Sequence, residues 1–271
     1  MAEHTTAPLL KVEGLKQYFR VNKNFTVKAV DDVSFEIYPG ETYGLVGESG
    51  SGKSTIGRSI IRLYDPTAGK ITFDGQDISG RLSHAQNNTL RTQMQMIFQD
   101  PMASLNPRKK VEDIIGEGLT VRERRERGRL ERNKETAALL ELVGLPADFA
   151  DRFPHELSGG QLQRVCIARA VACKPEVILF DEAISSLDAH TQVQVMDLLR
   201  DLKEKLGLTY VFITHDLTSI TYLCDDVLFL YQGRVTEYLP VSRISETKDE
   251  YARRLLESIV VFDTETSEVD V

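Results

Sequence analysis

The chain has 271 residues, 41% of them apolar, enough to bury one core with an insert or two closely packed subdomains. Its net charge of −8 argues against DNA or RNA as a partner. No run of 18 apolar residues is present to span a bilayer, and the opening MAEHTTAPLLKVEG lacks the basic stretch and apolar core of a signal peptide, so a cytoplasmic protein is expected.

The first forty residues predict strands: LLKVEGLKQYFRV and VDDVSFEIYPGE alternate apolar and polar residues and are broken by Gly and Pro. ETYGLVGESG reads as a strand entering a glycine-rich loop. KSTIGRSIIRLYD then has helical periodicity, ended by the turn from Pro66 to Gly69. GKITFDGQDIS is a further strand and turn. From about Leu90 to Leu145 the pattern is helical, with a two-signed charged stretch, Arg122 to Arg132, expected as a solvated surface. SGGQLQRVCIARAVACKP predicts a helix with Pro175 beyond its end. VILFDE predicts a strand buried on both faces. AHTQVQVMDLLRDLKEKLG is amphipathic and stops at Gly207, and TYVFITHD and DDVLFLYQG add two strands. Strands alternating with helices imply an α/β fold with a mostly parallel central sheet. After Ser242 the tail is acidic and is expected to be disordered at its very end. Cys166, Cys173 and Cys224 show no CxxC spacing and read as reduced thiols, the first two on one buried helical face.

Gly47-Glu48-Ser49-Gly50-Ser51-Gly52-Lys53-Ser54, followed by Thr55, fits the phosphate-loop pattern G-x-x-x-x-G-K-[ST]. Glycines allow successive N–H groups to turn toward one anion, and the following helix adds its positive dipole end. Lys53 supplies a charge for the outer phosphates and Ser54 a hydroxyl for Mg2+. The loop by itself indicates a nucleotide and no particular reaction.

Asp181 and Glu182 close a buried strand. Adjacent strand side chains point apart, so the two carboxylates take different tasks: Asp181 the Mg2+, Glu182 the proton of an attacking water. His215 follows the apolar strand YVFIT at its C-terminal end, where open α/β sheets bind ligands, and suits a contact to the γ-phosphate or the water. Gln99 in MIFQDP could bring an amide oxygen near Mg2+ and the water. Leu157-Ser158-Gly159-Gly160-Gln161 is a second anion-binding helix start, with Ser158 as N-cap. One nucleotide already has its phosphates held by Gly47–Ser54, so this start suits the other flank of a γ-phosphate presented from another subunit. Taken alone it is equally an ordinary cap.

In this order (GESGSGKST, Gln99, LSGGQ, VILFDE, SSLD, ITHD, over about 170 residues) the motifs resemble the nucleotide-binding subunits of ABC transporters. The likeness covers roughly residues 9 to 240, and FQDP followed by ASLNPR resembles the oligopeptide and dipeptide import branch, which includes some nickel importers. It implies a P-loop NTPase (RecA-like) core with an N-terminal antiparallel β subdomain, over about 9–89 and 170–240. An inserted helical subdomain is implied over about 90–169, with a tail over 241–271. It further implies ATP and Mg2+, hydrolysis coupled to transport, and a place on the cytoplasmic face of the membrane. The implied partners are integral membrane permease subunits, a second ABC ATPase subunit and an extracytoplasmic substrate-binding protein. Phe19 would stack on adenine, with Tyr18 its rival. Ser158, Gly159, Gly160 and Gln161 would reach the γ-phosphate on the opposite subunit, Asp188 would line that interface, and the helical stretch after Gln99 would receive the permease. Departures are Leu162 in place of an arginine, Ala183 in place of a proline, and Ser186, Ala189 and His190. A soluble, non-transport ABC ATPase would be expected to carry two cassettes or a long coiled coil.

Overall fold

The structure, a computed structural model, describes residues 6–265. The chain divides into two compact units, one holding the chain up to Leu82 and from Val211 onward, the other Ser83–Tyr210.

In the first unit, strands β1 (Leu10–Arg20) and β2 (Thr26–Ile37) form an antiparallel hairpin with Leu10 opposite Ile37 and Arg20 opposite Thr26. Their inward residues, Leu10, Val12, Leu15, Val30, Val33 and Ile37, are almost wholly buried, and the period-2 alternation of a half-buried sheet is interrupted where the register shifts between Val12 and Leu15. The chain then enters β3 (Thr42–Val46), buried at all five positions, and the short helix α1 (Lys53–Ile60). This helix stops well before the predicted Pro66 turn, because Arg62 turns left-handed at φ 60° and its N–H returns to the Ser59 carbonyl. Strands β4 (Ala68–Phe73) and β5 (Gln76–Asp77) complete a sheet of order β2-β1-β4-β5. Asp31 on β2 accepts from Arg234 at 2.8 Å and from the Tyr18 hydroxyl, and these partners, Tyr18 foremost, hold its carboxyl down at about 2.

The second unit opens with α2 (His84–Gln93), started by a reciprocal cap between Ser83 and Gln86. Strand β6 (Met94–Ile97) follows, inside the stretch the sequence predicts as helical. The short α3 (Pro101–Ser104), then α4 (Val111–Glu126), α5 (Arg132–Leu142) and α6 (Gly159–Ala172) form the helical part. Gly118 lets α4 approach α6, since a Cβ there would stand 2.4 Å from the Arg169 carbonyl oxygen. The charged surface is laced by Arg122 with Glu126 and Glu135, and by Arg132 with Glu123. Strand β7 (Val177–Asp181), buried throughout, runs parallel to β6 with Ile97 opposite Phe180. Helix α7 (Ala189–Leu206) ends at Gly207, left-handed at φ 65°. Tyr210, in strand β8 (Thr209–Thr214), packs edge-on against Phe180. Cys166 and Cys173 are buried on α6 and at its end, and burial pushes both thiols up to about 11.

From Val211 the chain is back in the first unit. Helix α8 (Leu217–Leu223) lies on β3, where a Cβ at Gly44 would meet Ile220 at 2.5 Å. Strand β9 (Asp226–Tyr231) is parallel to β3, with Val46 opposite Phe229, and β10 (Arg234–Pro240) is its antiparallel neighbour. The tail, unanticipated by the sequence reading, carries α9 (Glu250–Glu265). The disorder expected at the chain's very end falls on residues 266–271, outside the described residues. Among the described residues no helix is long and apolar enough to cross a membrane.

Candidate functional site

The phosphate loop joins β3 to α1 in the first unit, the strand–loop–helix context the motif needs. Gly50 and Gly52 are left-handed at φ 81° and 106°, a region costly for side chains. A Cβ at Gly52 would also stand 2.3 Å from the Ala29 carbonyl oxygen, and one at Gly47 would stand 2.2 Å from that of Leu230. The loop is therefore packed closely against β2 and β9 at two glycines. Lys53 is buried, and its ammonium donates to the carbonyls of Gly47 at 2.6 Å and Glu48 at 2.9 Å. The side chain thus folds back across the loop, held over its concave side. The Ser51 N–H donates to the Glu48 carbonyl at 3.1 Å, and its buried hydroxyl has no hydrogen-bond partner. Exposed Ser49 and half-buried Ser54 and Thr55 complete the segment. A lysine charge, a helix start and an orphan hydroxyl in one concave turn fit a polyphosphate.

Three other predicted residues lie in this unit. Phe19 is half-buried, its ring edge-on to Tyr64 at 5.2 Å. Its neighbour Tyr18 faces Asp31, with the Lys28 ammonium 5.3 Å over its ring. His215 is exposed immediately beyond β8. It sits between Thr214, whose hydroxyl accepts from the Asp216 N–H, and Asp216, which caps α8, so the backbone on both sides of the imidazole is fixed.

In the second unit the parallel register of β6 and β7 brings Gln99 and Asp181 to one edge, two residues past Ile97 and one past Phe180. Asp181 is buried and ends β7, whereas Gln99 is exposed. Glu182 leaves the strand with φ 50°, a left-handed turn that a glutamate adopts only at a cost of about 1–3 kcal/mol. Its carbonyl accepts from the Ser185 hydroxyl at 2.8 Å and the Ser185 N–H at 3.3 Å, which holds the turn. The simple up–down alternation of a strand stops at Asp181, and the Glu182 direction is set by this turn.

The Ser158 end of α6 is a full reciprocal cap. The Ser158 hydroxyl accepts from the Gln161 N–H at 3.4 Å, and the Gln161 amide oxygen accepts from the Ser158 N–H at 2.9 Å. Ser158 and Gly159 are exposed at the tip, while a Cβ at Gly160 would stand 2.5 Å from the Thr191 side chain on α7. Asp188 caps α7 through the Thr191 N–H at 3.0 Å and hydroxyl at 2.7 Å, and these bonds lower its carboxyl's pKa. Thr191 therefore joins the Gly160 and Asp188 ends. Sequence spacing gave no sign of it; only the i+3 capping pattern after Asp188 points its way. Tyr251, whose hydroxyl accepts from the Glu48 N–H at 2.7 Å, was also missed.

Residues 30–185 match the family model described as ABC transporter, more than half the chain. The chain belongs to the ABC transporter ATP-binding family. This ABC ATPase is 49% identical over 259 residues to the oligopeptide transport ATP-binding protein OppF of Bacillus subtilis (strain 168), covering 95% of this chain and 84% of that protein. It is also 49% identical to a putative peptide import ATP-binding protein of Brucella ovis, covering 92% and 75%. Its structure is similar to the dimeric ATP-binding cassette MJ0796 in a post-hydrolysis state bound to ADP and Pi, with a TM-score of 0.76 and 30% identity over 86% of this chain and 98% of that one. The cassette is an ATPase of the α/β P-loop class.

Proposed function

We propose that this ABC ATPase energises the import of oligopeptides or dipeptides across the cytoplasmic membrane, from its cytoplasmic face. Membrane permease subunits would carry the cargo, delivered by an extracytoplasmic binding protein, and a second ABC ATPase subunit would complete the pair. The observation that carries the cargo class is the likeness, along 95% of the chain, to a relative named for oligopeptide transport.

In this reading Gly47–Thr55 hold the phosphates by backbone N–H groups and the Lys53 charge, and Phe19 stacks on adenine. Mg2+, when bound, offsets charge on the phosphate oxygens, and Ser54, Asp181 and Gln99 would hold it. Glu182 accepts the proton of the attacking water, and His215 orients that water against the γ-phosphate. Ser158, Gly159, Gly160 and Gln161 contact the γ-phosphate of the partner's nucleotide, beside Asp188. ATP then favours the closed pair and its loss favours the open one.

The decisive experiment places the chain with its permease and binding protein in sealed vesicles and follows uptake of a radiolabelled peptide. Uptake is expected to need ATP, and Glu182→Gln is expected to lower hydrolysis by about 10²–10⁴ while ATP still binds. Uptake of Ni2+ but not peptide would replace the cargo class; normal turnover in Glu182→Gln would remove that residue from its role.

A further inference from the structure

The phosphate loop is gripped from the C-terminal end of the chain as well as from its own lysine. The peptide unit joining Gly47 to Glu48 is planar and trans, so its carbonyl and its N–H point in opposite directions and move as one body. Lys53 donates to that carbonyl at 2.6 Å. The N–H donates to the Tyr251 hydroxyl at 2.7 Å, across 203 residues of sequence. One rigid plate is pinned at both edges.

Tyr251 is itself firmly placed. Its ring packs on Tyr231, the last residue of β9, with centroids 4.6 Å apart and planes at 42°. Neighbouring Leu230 presents the carbonyl on which Gly47 rests. The approach to α9 is anchored on β10 by Glu237, which accepts from the N–H groups of Lys248 at 3.1 Å and Asp249 at 3.1 Å and from the Thr247 hydroxyl. The Asp249 carboxylate then caps the helix through the Ala252 N–H at 3.0 Å, and Ala252 is fully buried. A long contact held by a packed ring and an anchored helix start is a built feature.

We propose that Tyr251 is a positioning residue for nucleotide binding: by fixing the Glu48 N–H it sets the Gly47–Glu48 peptide on which the Lys53 ammonium rests. This rests on the reading of Gly47–Thr55 as the phosphate cradle. Tyr251 touches no reacting atom and acts through the loop. Without its hydroxyl the plate is held at one edge, and the lysine that must meet the phosphates loses a fixed seat.

The test is Tyr251→Phe in the full chain, which keeps the ring on Tyr231 and removes only the hydroxyl. The Glu48 amide is expected to exchange its hydrogen faster. ATP affinity, measured by calorimetric titration, is expected to fall roughly 2- to 10-fold, as loss of one such bond predicts. In the assembled transporter KM for ATP is expected to rise by the same factor with kcat unchanged, which a general loosening of the fold would not produce. Unchanged affinity and KM in Tyr251→Phe, while Lys53→Ala loses binding, overturn the brace and leave the cradle standing. Unchanged binding in Lys53→Ala removes the cradle itself, and the brace falls with it.

Discussion

Two helix starts in this molecule carry glycines, and they use them for opposite purposes. At the phosphate loop the glycines supply backbone shape: Gly50 and Gly52 are left-handed, and Gly47 and Gly52 touch backbone carbonyls where no side chain fits. At the Ser158 tip both glycines are within α6 and neither has a positive φ. There Gly160 supplies room beside Thr191, and Gly159 is exposed, its added Cβ meeting Leu187 only at 3.5 Å. The loop is thus shaped by its own chain, whereas the tip is a relaxed, capped helix end with Ser158 and Gly159 exposed. A glycine-rich motif can mark strained backbone or an uncovered surface, and φ tells them apart.

Four changes break or sharpen this contrast. The largest effect is expected at Lys53, whose two carbonyl bonds are charge-assisted: Lys53→Ala is expected to weaken ATP binding about 10- to 100-fold by titration. Next is Gly52→Ala, which places a Cβ 2.3 Å from a backbone oxygen at φ 106° and is expected to destabilise the chain by about 1–3 kcal/mol in urea unfolding. Gly159→Ala is expected to leave stability within about 0.5 kcal/mol yet lower ATP turnover in the assembled transporter. Full turnover there would end the claim that the tip faces a partner's nucleotide. The smallest effect concerns Asp31, whose carboxyl lies at about 2 rather than 3.8. Its folded-state value is depressed, so its contribution to stability is full above about pH 4 and fades as pH falls toward 2. The Tm gap between wild type and Asp31→Asn is expected to shrink over that window and stay level from pH 5 to 7.

Much of this was readable in the residues. The β3–loop–α1 passage, the Ser158 cap and the buried run VILFD all follow from local rules of glycine, capping and apolar continuity, whereas the Asp188 cap on α7 was not read. What escaped notice depended on distance or on brevity. Met94–Ile97 is four residues without a full alternation, so its strand character comes from pairing with β7. Helix α9 begins in EYARRLLE, whose helical pattern was masked by the acidic residues beyond it. The left-handed turn at Glu182 is held by Ser185, and no propensity of glutamate announces it. The Tyr251 contact joins residues 203 apart, beyond any local signal.

The buried cysteines have a practical side. Burial disfavours the thiolate at Cys166 and Cys173, and Cys224 is only 8% exposed. A maleimide dye therefore meets native thiols shielded by burial. One cysteine introduced at an exposed site, such as Glu257 on α9, gives a single fluorescent reporter without first stripping the native thiols.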